Sequence, residues 1–337
     1  MTVAAGAGSA TAAGSFSEVV SGEPWLAAAT AWASAVLRDL GREVVGPPRQ
    51  VRVRPWSTQL VLTAPPHPTA PPIDHHVWLK QGCAATSYEG EVLAIIARAV
   101  PEAVTAPLAV DPATGRFLAV DHGATLREQG RDGLADWCAV VALAARAQQQ
   151  VLPHVDALTA AGLPDGSAAT VAERFDALVA SGARDGQDDG ERTARLGRLR
   201  PAVLASGEAL LASPFPVTWN HGDLHPGNVT AGGRDGVDGL RLFDLGDSDL
   251  SCALELLAVP HGLLGDGAGW DAVLGAYCDA WDVDPAVGAA LWPHVERLHA
   301  VNRTHAWRRA LAEATPAETA RWLPDADHDL TRLTEAA

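Results

Sequence analysis

The chain has 337 residues, a length that favours two lobes or two domains. Its 25 basic and 41 acidic side chains give a net charge of −16, which argues against a protein that coats nucleic acid with a basic face. Apolar residues make up 47 % of the chain, which is enough for a full core and excludes global disorder, while the longest apolar runs fall far short of the roughly 20 residues that span a membrane. The four cysteines are scattered without a C-x-x-C pair, which argues against a disulfide scaffold and, with no secretory signal or membrane segment in the sequence, predicts a reducing, cytoplasmic location.

The first third of the chain predicts a small sheet with one inserted helix. Residues 1–22 are mostly Ala, Gly, Ser and Thr and predict a flexible tail. Apolar residues at helical spacing then predict a helix over 23–40, which Gly41 ends. Alternating or Val- and Leu-rich runs predict strands, and one helical pattern ends before Pro101; the strands are 50–54, 58–63, 76–80, 108–110 and 116–120, and the helix is 88–100.

After Gly123 the chain predicts a mainly helical second part, with helices over 134–151, 167–182 and 194–212 and a strand-rich island over 216–243. The long segment 286–311 contains Pro293, which predicts that the segment splits or that a second helix begins there. The fold class is therefore α+β and bilobal: a small β-rich lobe with one key helix over 23–121, a large, mainly helical lobe over 122–337, and a cleft between them where ligands bind.

Lys80 is the only lysine among the 25 basic residues. A compositional bias toward arginine has no reason to spare one position. One interpretation is a site that needs a compact ammonium, which a planar guanidinium does not replace. The other is chance survival on the surface, and the count alone does not choose between them.

Two strings in the second part carry groups that suit phosphate chemistry: HGDLHPGN over 221–228 and LFDLGD over 242–247. The amide oxygen of Asn228 and the carboxylate of Asp244, sixteen residues later, are hard oxygen donors of the kind that Mg²⁺ prefers. Asp223 lies on the same loop as Asn228 and is free to accept a hydroxyl proton during phosphoryl transfer. Lys80, on a strand of the other lobe, can neutralise phosphate oxygens as a point charge.

The helix predicted after the Lys80 strand offers two acidic residues, Glu89 and Glu91, as partners for the ammonium. Helical periodicity puts Glu89 on the face of Leu93 and Ile96, which is the buried stripe. Glu91 falls on a more solvated face. Because an unpaired inward carboxylate is costly, the periodicity predicts a pair between Lys80 and Glu89.

Together these residues resemble the aminoglycoside phosphotransferase and choline kinase-like family, which has the protein-kinase-like fold. Besides HGDLHPGN and LFDLGD, the resemblance includes RPWS over 54–57, VWLK over 77–80, YEGEVLAII over 88–96 and FLAVDHG over 117–123. It extends from about residue 25 to residue 333, which is nearly the whole chain.

The resemblance implies a role for each matching residue. Asp223 matches the catalytic base of the family. Asn228 and Asp244 match its magnesium ligands. Lys80 matches the lysine that contacts the nucleotide phosphates, and Glu89 matches the helix partner of that lysine.

Two further matches concern the hinge and the support of the loop. The stretch from Ala119 to Asp121 matches the hinge whose backbone hydrogen-bonds adenine. His221 matches the residue that supports the catalytic loop from beneath. Because His221 and His225 flank Asp223, the string also allows a second interpretation, in which the histidines are metal ligands; a structural role is the favoured one.

The sequence departs from the family pattern at the first strand turn, where no G-x-G-x-x-G occurs and Pro55-Trp56-Ser57-Thr58 stands instead. A glycine loop lets backbone N–H groups approach phosphate closely. The hydroxyls of Ser57 and Thr58 are candidate substitutes. Asp247 has three candidate roles, a metal contact, a substrate contact or the cap of the next helix, and the cap is the favoured one.

The sequence thus predicts an enzyme, a phosphotransferase that uses ATP and Mg²⁺ to phosphorylate a hydroxyl of a small molecule, such as an aminoglycoside-like antibiotic or a hydroxylated metabolite. A cationic acceptor is one option, since the charge of −16 suits it, although the same charge serves solubility equally. One alternative is a metal-dependent phosphoesterase, because Gly222-Asp-Leu-His225 is similar to metallophosphatase strings. The other is a non-catalytic, kinase-like nucleotide-binding protein. No nucleic acid and no membrane is expected as a partner.

Overall fold

The computed structural model describes residues 14–66, 75–182, 190–231 and 239–335. Part of the tail predicted over 1–22 lies outside these residues, and the rest of that prediction is wrong, because Phe16–Val20 form a short helix, α1. Ser15 caps this helix by accepting a hydrogen bond from the backbone of Glu18, whose carboxylate in turn accepts from the backbone of Ser15. Phe16 and Val20 are buried against Trp56 and Cys83, so these residues belong to the folded body.

The amino-terminal part contains a five-stranded antiparallel sheet in the order β1-β2-β3-β5-β4. The strands are Arg49–Val53 (β1), Ser57–Thr63 (β2), His76–Gly82 (β3), Ala109–Asp111 (β4) and Arg116–Val120 (β5). Two helices accompany the sheet, α2 (Glu23–Asp39) before it and α3 (Glu89–Ala99) between β3 and β4. The predicted strands and helices of this part are therefore confirmed, with their ends moved by one or two residues.

The two faces of this sheet have different partners. One face carries Leu60, Leu79 and Leu118, which are fully buried against Ala33 and Leu37 of α2. Because side chains alternate along a strand, the neighbouring row faces the other way. That row consists of Gln59, Lys80 and Phe117, which lie opposite one another across β2, β3 and β5, and it lines the cleft.

The second part is mainly helical and holds the larger core. Its helices are α4 (Leu134–Val151), α5 (Val155–Ala160), α6 (Val171–Gly182), α7 (Glu191–Leu211), α8 (Ala258–Leu264), α9 (Ala268–Ala280), α10 (Pro285–Ala310) and α11 (Pro316–Glu335). Helix α4 packs on α9, and α10 packs on both α7 and α11. The buried aromatic side chains of Phe175, Trp219 and Tyr277 fill the centre of this part.

The strands in and after the predicted island form two antiparallel pairs that border the site. Strand β6 (Val217–Asn220) pairs with β9 (Asp249–Cys252), and β7 (Val229–Ala231) pairs with β8 (Leu240–Leu242). Strand β9 lies wholly after the island predicted over 216–243. This short segment is a strand because it pairs with β6.

Helix α10 runs without interruption from Pro285 to Ala310, so the prediction of a split at Pro293 is wrong. A proline inside a helix removes one backbone hydrogen bond. Trp292, Val295 and Leu298, next to the proline, are all buried in the core. Their packing outweighs the lost hydrogen bond and keeps the helix continuous.

Two further expectations concern the surroundings of the protein. All four cysteines are free thiols, which agrees with the predicted absence of a disulfide scaffold. Among the residues that the structure describes, every helix is too short or too polar to cross a membrane.

Candidate active site

The single lysine of the chain lies at the centre of the cleft. Lys80 is 8 % exposed, and its Nζ donates to Oε1 of Glu89 at 2.7 Å and to Oδ1 of Asp244 at 2.5 Å. Helix α3 therefore presents Glu89 to the lysine, as its periodicity predicts, while Glu91 points along another face. The surface alternative for Lys80 is excluded by this burial.

The pKa values of Lys80, Asp244 and Glu89 are shifted in different directions by burial and by their mutual attraction. Burial disfavours the ammonium of Lys80, but Asp244 and Glu89 outweigh it and its pKa is raised. Burial likewise opposes ionisation of Asp244, yet Lys80 and Arg52 lower the pKa of this carboxyl. For Glu89 burial prevails over Lys80, and its pKa is raised. Glu89 is thus the carboxylate of this cluster whose charged form is disfavoured by burial.

The segment that carries Asp244 is fixed by the first turn of α3. Oε1 of Glu89 also accepts from the backbone N–H of Leu245 at 3.1 Å. The hydroxyl of Tyr88 lies 2.8 Å from the carbonyl of Gly246 and 2.9 Å from that of Ser248. Asp244 itself has a φ of 65°, a left-handed conformation that is uncommon for a residue with a side chain. Its carboxylate is therefore aimed by an anchored turn.

The pairing of β7 with β8 brings Asn228 and Asp244 to the same end of one hairpin. Val229 lies opposite Leu242, and the N–H of Phe243 donates to the carbonyl of Asn228 at 3.1 Å. The side-chain amide nitrogen of Asn228 faces Asp223 and donates to its carbonyl at 2.9 Å and its Oδ2 at 3.2 Å. The amide oxygen of Asn228 is consequently directed away from Asp223, where it is available to a ligand.

His221 supports the loop in the way that the resemblance implies. The ring is fully buried, and its Nε2 lies 3.1 Å from the carbonyl of Phe243 while its Nδ1 accepts from the N–H of Asp223 at 3.4 Å. A carbonyl only accepts and a backbone N–H only donates, so these partners select the neutral tautomer with hydrogen on Nε2. Burial lowers the pKa of His221, which keeps the ring neutral.

Gly222 makes the close approach between two loops possible. It has a φ of +75°, and a Cβ built there would lie 2.0 Å from the carbonyl oxygen of Asp247. Only glycine fits this position. The loop that carries Asp223 and the segment that carries Asp247 are thereby held in direct contact.

Asp223 is ringed by cationic and hydrogen-bonding groups. Nε2 of His225 lies 3.5 Å from its Oδ2, and Nη2 of Arg303 lies 3.5 Å from its Oδ1. Burial opposes ionisation, but the hydrogen bond with His225 and the charge of Arg303 lower the pKa of Asp223 to about 2. Nδ1 of His225 accepts from the N–H of Gly227 at 2.9 Å, which agrees with the structural role favoured for this histidine.

Sequence reasoning missed Arg303, which reaches the loop from the middle of α10. Besides Asp223, it contacts the carbonyl of Gly222 at 3.1 Å and Oδ1 of Asp247 at 3.4 Å. No motif marks this position in the sequence. The prediction that Asp247 caps a following helix is wrong, because strand β9 follows it at Asp249. The carboxylate of Asp247 faces Arg303 instead.

Two cavities meet at the Lys80–Asp244 pair. The first, called the hinge cavity, measures about 330 Å³; its lining includes Trp78, Leu93, Phe117, Ala119, Val120, Asp121, His122, Asn228, Phe243 and Asp244. Strand β4 pairs with β5 only as far as Leu118, and the hinge cavity borders the chain from Ala119 onward. The predicted hinge residues Ala119 and Asp121 therefore lie at the cavity that also contains Asn228 and Asp244.

The second cavity, called the inner cavity, measures about 180 Å³ and lies on the other side of Lys80. Its polar lining includes Asp223, Asp247 and Arg303, and its apolar lining includes Trp56 and Trp307. The two indole rings meet edge to face, with centroids 5.2 Å apart. All the predicted site residues thus lie around two joined cavities, which share Arg52, Lys80, Glu89 and Asp244 in their linings.

The side chains present fit a magnesium ion bound with phosphate. Asn228 and Asp244 offer two hard oxygen donors on the wall of one cavity, and Mg²⁺ commonly takes one or two protein oxygens and completes its shell with phosphate and water. In the part of the chain that the structure describes, no three or more His, Cys, Asp or Glu side chains cluster as metal ligands would.

Comparison with known proteins identifies the fold. No known family profile matches the chain, and no curated protein matches it in sequence. Solved structures match over most of its length. A macrolide 2'-phosphotransferase type I has 16 % sequence identity and a TM-score of 0.56, and the match covers 87 % of this chain and 94 % of that chain. An ethanolamine kinase from Plasmodium vivax has 11 % identity and a TM-score of 0.58, with 85 % of this chain and 84 % of that chain covered, and the GDP complex of aminoglycoside 2'-phosphotransferase-IIIa has 12 % identity and a TM-score of 0.55, with 90 % and 98 % covered. The chain therefore has the fold of small-molecule phosphotransferases and kinases, as the resemblance in its motifs implies.

Proposed function

We propose that the protein is a small-molecule kinase that transfers the γ-phosphoryl group of ATP to a hydroxyl group. The observation that carries this proposal is the position of Lys80, the only ammonium side chain, between Glu89 at 2.7 Å and Asp244 at 2.5 Å. Asp244 lies 164 positions from Lys80 in the sequence, and the three residues meet where two cavities join. The phosphotransferases and kinases of the same fold support the reaction class, and the GDP complex among them supports a nucleotide as the donor.

Nucleotide binding in the hinge cavity is supported by its walls and its edge. Trp78, Phe117 and Phe243 supply apolar surface for a purine ring. We propose that the backbone from Ala119 to Asp121 hydrogen-bonds the adenine. The triphosphate then extends toward Lys80. In this proposal the residues of 23–121 supply the hinge and Lys80, while those of 122–337 supply the catalytic loop and, together with Trp56, the acceptor cavity.

For the transfer itself we assign Asp223 as the catalytic base. Its carboxylate orients the acceptor hydroxyl and takes its proton while the acceptor oxygen bonds to the γ-phosphorus and the bond to the β–γ bridging oxygen breaks, which releases ADP. A pKa of about 2 keeps Asp223 ionised, and His225 and Arg303 hold it in place. Asn228 and Asp244 would hold Mg²⁺, which when bound neutralises the charge of the phosphate oxygens.

We propose that the acceptor is a small hydroxylated molecule bound in the inner cavity. The indoles of Trp56 and Trp307 offer it apolar surface. Arg303 pairs with both Asp223 and Asp247, so much of the negative charge there is already balanced. Asp247, whose side chain is 42 % exposed, is the carboxylate that a cationic acceptor would contact. We place the reaction in the cytoplasm, where ATP is present.

The test is a panel of hydroxylated acceptors with Mg²⁺ and ATP, read by release of ADP. The panel contains kanamycin, a macrolide, choline, ethanolamine and a neutral sugar, so it includes both cationic and neutral acceptors. We expect at least one acceptor to raise ADP release above the rate without acceptor. Asp223→Ala is expected to lose this turnover while it still binds the nucleotide, and Asp279→Ala, an exposed position on α9, is the matched control.

Two results would contradict the proposal. If the wild-type chain does not bind ATP in the presence of Mg²⁺, the kinase assignment is wrong. If Asp223→Ala phosphorylates the acceptor at the wild-type rate, Asp223 is not the base. Binding of ATP without turnover on any acceptor, and without slow hydrolysis of ATP, would support the non-catalytic alternative instead.

A further inference from the structure

The turn between β1 and β2 borders the inner cavity without a glycine. Arg54, Pro55 and Trp56 form it, and Trp56 lines the cavity. Without a glycine the backbone cannot approach a phosphate as closely as a glycine loop allows. Side chains must therefore supply the donors at this end of the nucleotide site.

A bulge in β1 determines which side chain faces the cleft. The pairing of β1 with β2 shifts by one residue between Gln50 and Arg52, so Arg52 lies opposite Gln59. Gln59 in turn lies opposite Lys80. Residues directly opposite one another share a face of the sheet, which puts Arg52 on the face of Lys80. Without the extra residue Arg52 would lie opposite Thr58, on the face that turns away from the cleft.

The hydroxyl of Thr58 holds this bulge in place. It donates to the carbonyl of Arg52 at 3.0 Å and accepts from the side-chain amide of Gln50 at 2.8 Å. Thr58 is fully buried. Its hydroxyl is therefore committed to the backbone and is not the phosphate ligand that the sequence suggests.

Two other polar groups at this end have unmet hydrogen-bonding capacity within the described residues. Nε of Arg52 and Oγ of Ser57 are both buried and have no hydrogen-bond partner there. Arg52 lines both the hinge cavity and the inner cavity, and Ser57 lines the inner one. The contact of Arg52 with Asp244 is long, at 3.9 Å, and its side chain is 35 % exposed, so this pair holds the guanidinium weakly.

We propose that Arg52, assisted by Ser57, binds the β- and γ-phosphates of the nucleotide in place of a glycine loop. This inference rests on the proposed function. A guanidinium presents several donors in one plane and matches two phosphate oxygens at once. When the nucleotide binds, the guanidinium exchanges the distant carboxylate of Asp244 for the phosphates, and the hydroxyl of Ser57 donates to an oxygen of the same group.

The experiment compares two ligands on three proteins by isothermal titration calorimetry. The ligands are AMP-PNP with Mg²⁺, a non-hydrolysable triphosphate, and adenosine, which has no phosphate. The proteins are the wild type, Arg52→Ala and Arg49→Ala, an exposed arginine of the same strand that controls for the change in net charge. We expect Arg52→Ala to bind AMP-PNP about tenfold or more weakly, as the loss of a charged hydrogen bond requires, and to bind adenosine as the wild type does. Arg49→Ala is expected to match the wild type with both ligands.

The outcomes separate this inference from the proposed function. AMP-PNP binding by Arg52→Ala within twofold of wild type overturns the role of Arg52 and leaves the kinase assignment intact. An equal loss with Arg49→Ala overturns it too, since only the net charge then matters. If Arg52→Ala loses adenosine binding as well, the same two ligands are measured on Arg52→Lys. Unchanged adenosine binding together with a several-fold weaker binding of AMP-PNP supports the guanidinium as the phosphate ligand. Binding of both ligands with wild-type affinity overturns this role. Failure of the wild type to bind AMP-PNP contradicts the proposed function itself.

Discussion

Replacing Glu89 by glutamine separates the functional role of the Lys80–Glu89 pair from its effect on stability. The substitution keeps the shape of the side chain and removes its negative charge. Oε1 of Glu89 now accepts from Lys80 at 2.7 Å and from the N–H of Leu245 at 3.1 Å, and an amide oxygen accepts both. Its Oε2 is buried without a partner within the described residues, so the substitution disturbs no hydrogen bond on that side.

The expected change in stability is small because two effects oppose each other. The ammonium of Lys80 then donates to a neutral amide oxygen and no longer to a carboxylate, at a loss of about 1–2 kcal/mol. Burial raises the pKa of Glu89, so the folded protein holds this carboxylate less favourably than water does, and removing an ionised group from the interior recovers a cost of up to several kcal/mol. Lys80 also keeps Asp244 as a partner. At pH 7 the free energy of unfolding of Glu89→Gln is therefore expected to equal that of the wild type or to exceed it by about 1 kcal/mol.

Phosphoryl transfer is expected to suffer in the same variant. With Glu89 neutral, Asp244 is the only carboxylate left on Lys80, so the ammonium is displaced from the phosphates toward Asp244. A misplacement of about 1 Å in such a group can lower the rate about a hundredfold. Urea unfolding and ADP release with an accepted substrate measure the two effects, and Glu91→Gln on the other face of α3 is the control. A loss of more than about 2 kcal/mol in stability with unchanged turnover would mean that the pair is a structural element and would refute this reasoning.

Three further predictions concern the loops around the pair. Gly222→Ala forces a Cβ to 2.0 Å from the carbonyl of Asp247, so urea unfolding should show a loss of at least about 3 kcal/mol together with lost turnover. Burial lowers the pKa of His221 from 6.5, so this histidine is protonated in the unfolded chain at a higher pH than in the folded protein. The free energy of unfolding should therefore fall as the pH drops below about 6.5, by up to about 1.4 kcal/mol per pH unit. Urea titrations of His221→Asn from pH 7 to pH 5 should lack this component. Asp244→Asn should bind ADP in EDTA at least as tightly as the wild type does, since the carboxylate that repels phosphate is gone, and should gain less from added Mg²⁺; equal gains in both proteins, measured by calorimetry, would contradict Asp244 as a metal ligand.

Much of the fold and part of the site could be predicted because local patterns decide them. Strand and helix ends of the first part follow from alternation and periodicity, and the choice of Glu89 over Glu91 follows from the same helical geometry. Asn228 and Asp244 could be paired because both supply hard oxygen donors of the kind that Mg²⁺ prefers. In each of these cases the information lies in a local pattern or in the chemical type of the side chain.

The features that could not be predicted depend on tertiary contacts. The bulge that turns Arg52 toward the cleft exists because Thr58 and Gln50 hold it, and a clean alternation in sequence gives no sign of it. Arg303 reaches Asp223 only because α10 packs beneath the loop. Pro293 is tolerated because its neighbours are buried in the core. Local propensity is overruled in all three cases by packing between distant segments.

Each cation of the cleft already faces a carboxylate before any ligand arrives, and in the proposed mechanism this determines what nucleotide binding must do. Asp244 faces Lys80 and Arg52, while Asp223 and Asp247 share Arg303. In that mechanism, a nucleotide that arrives alone takes the cations from Asp244 and leaves this half-buried carboxylate facing phosphate, which is unfavourable. A nucleotide that arrives with a divalent cation gives Asp244 a new partner at the same moment. In this proposal binding exchanges partners, so Lys80, Arg52 and Arg303 have anionic partners with and without the ligand, which explains how a charged cluster of this kind is compatible with a stable fold.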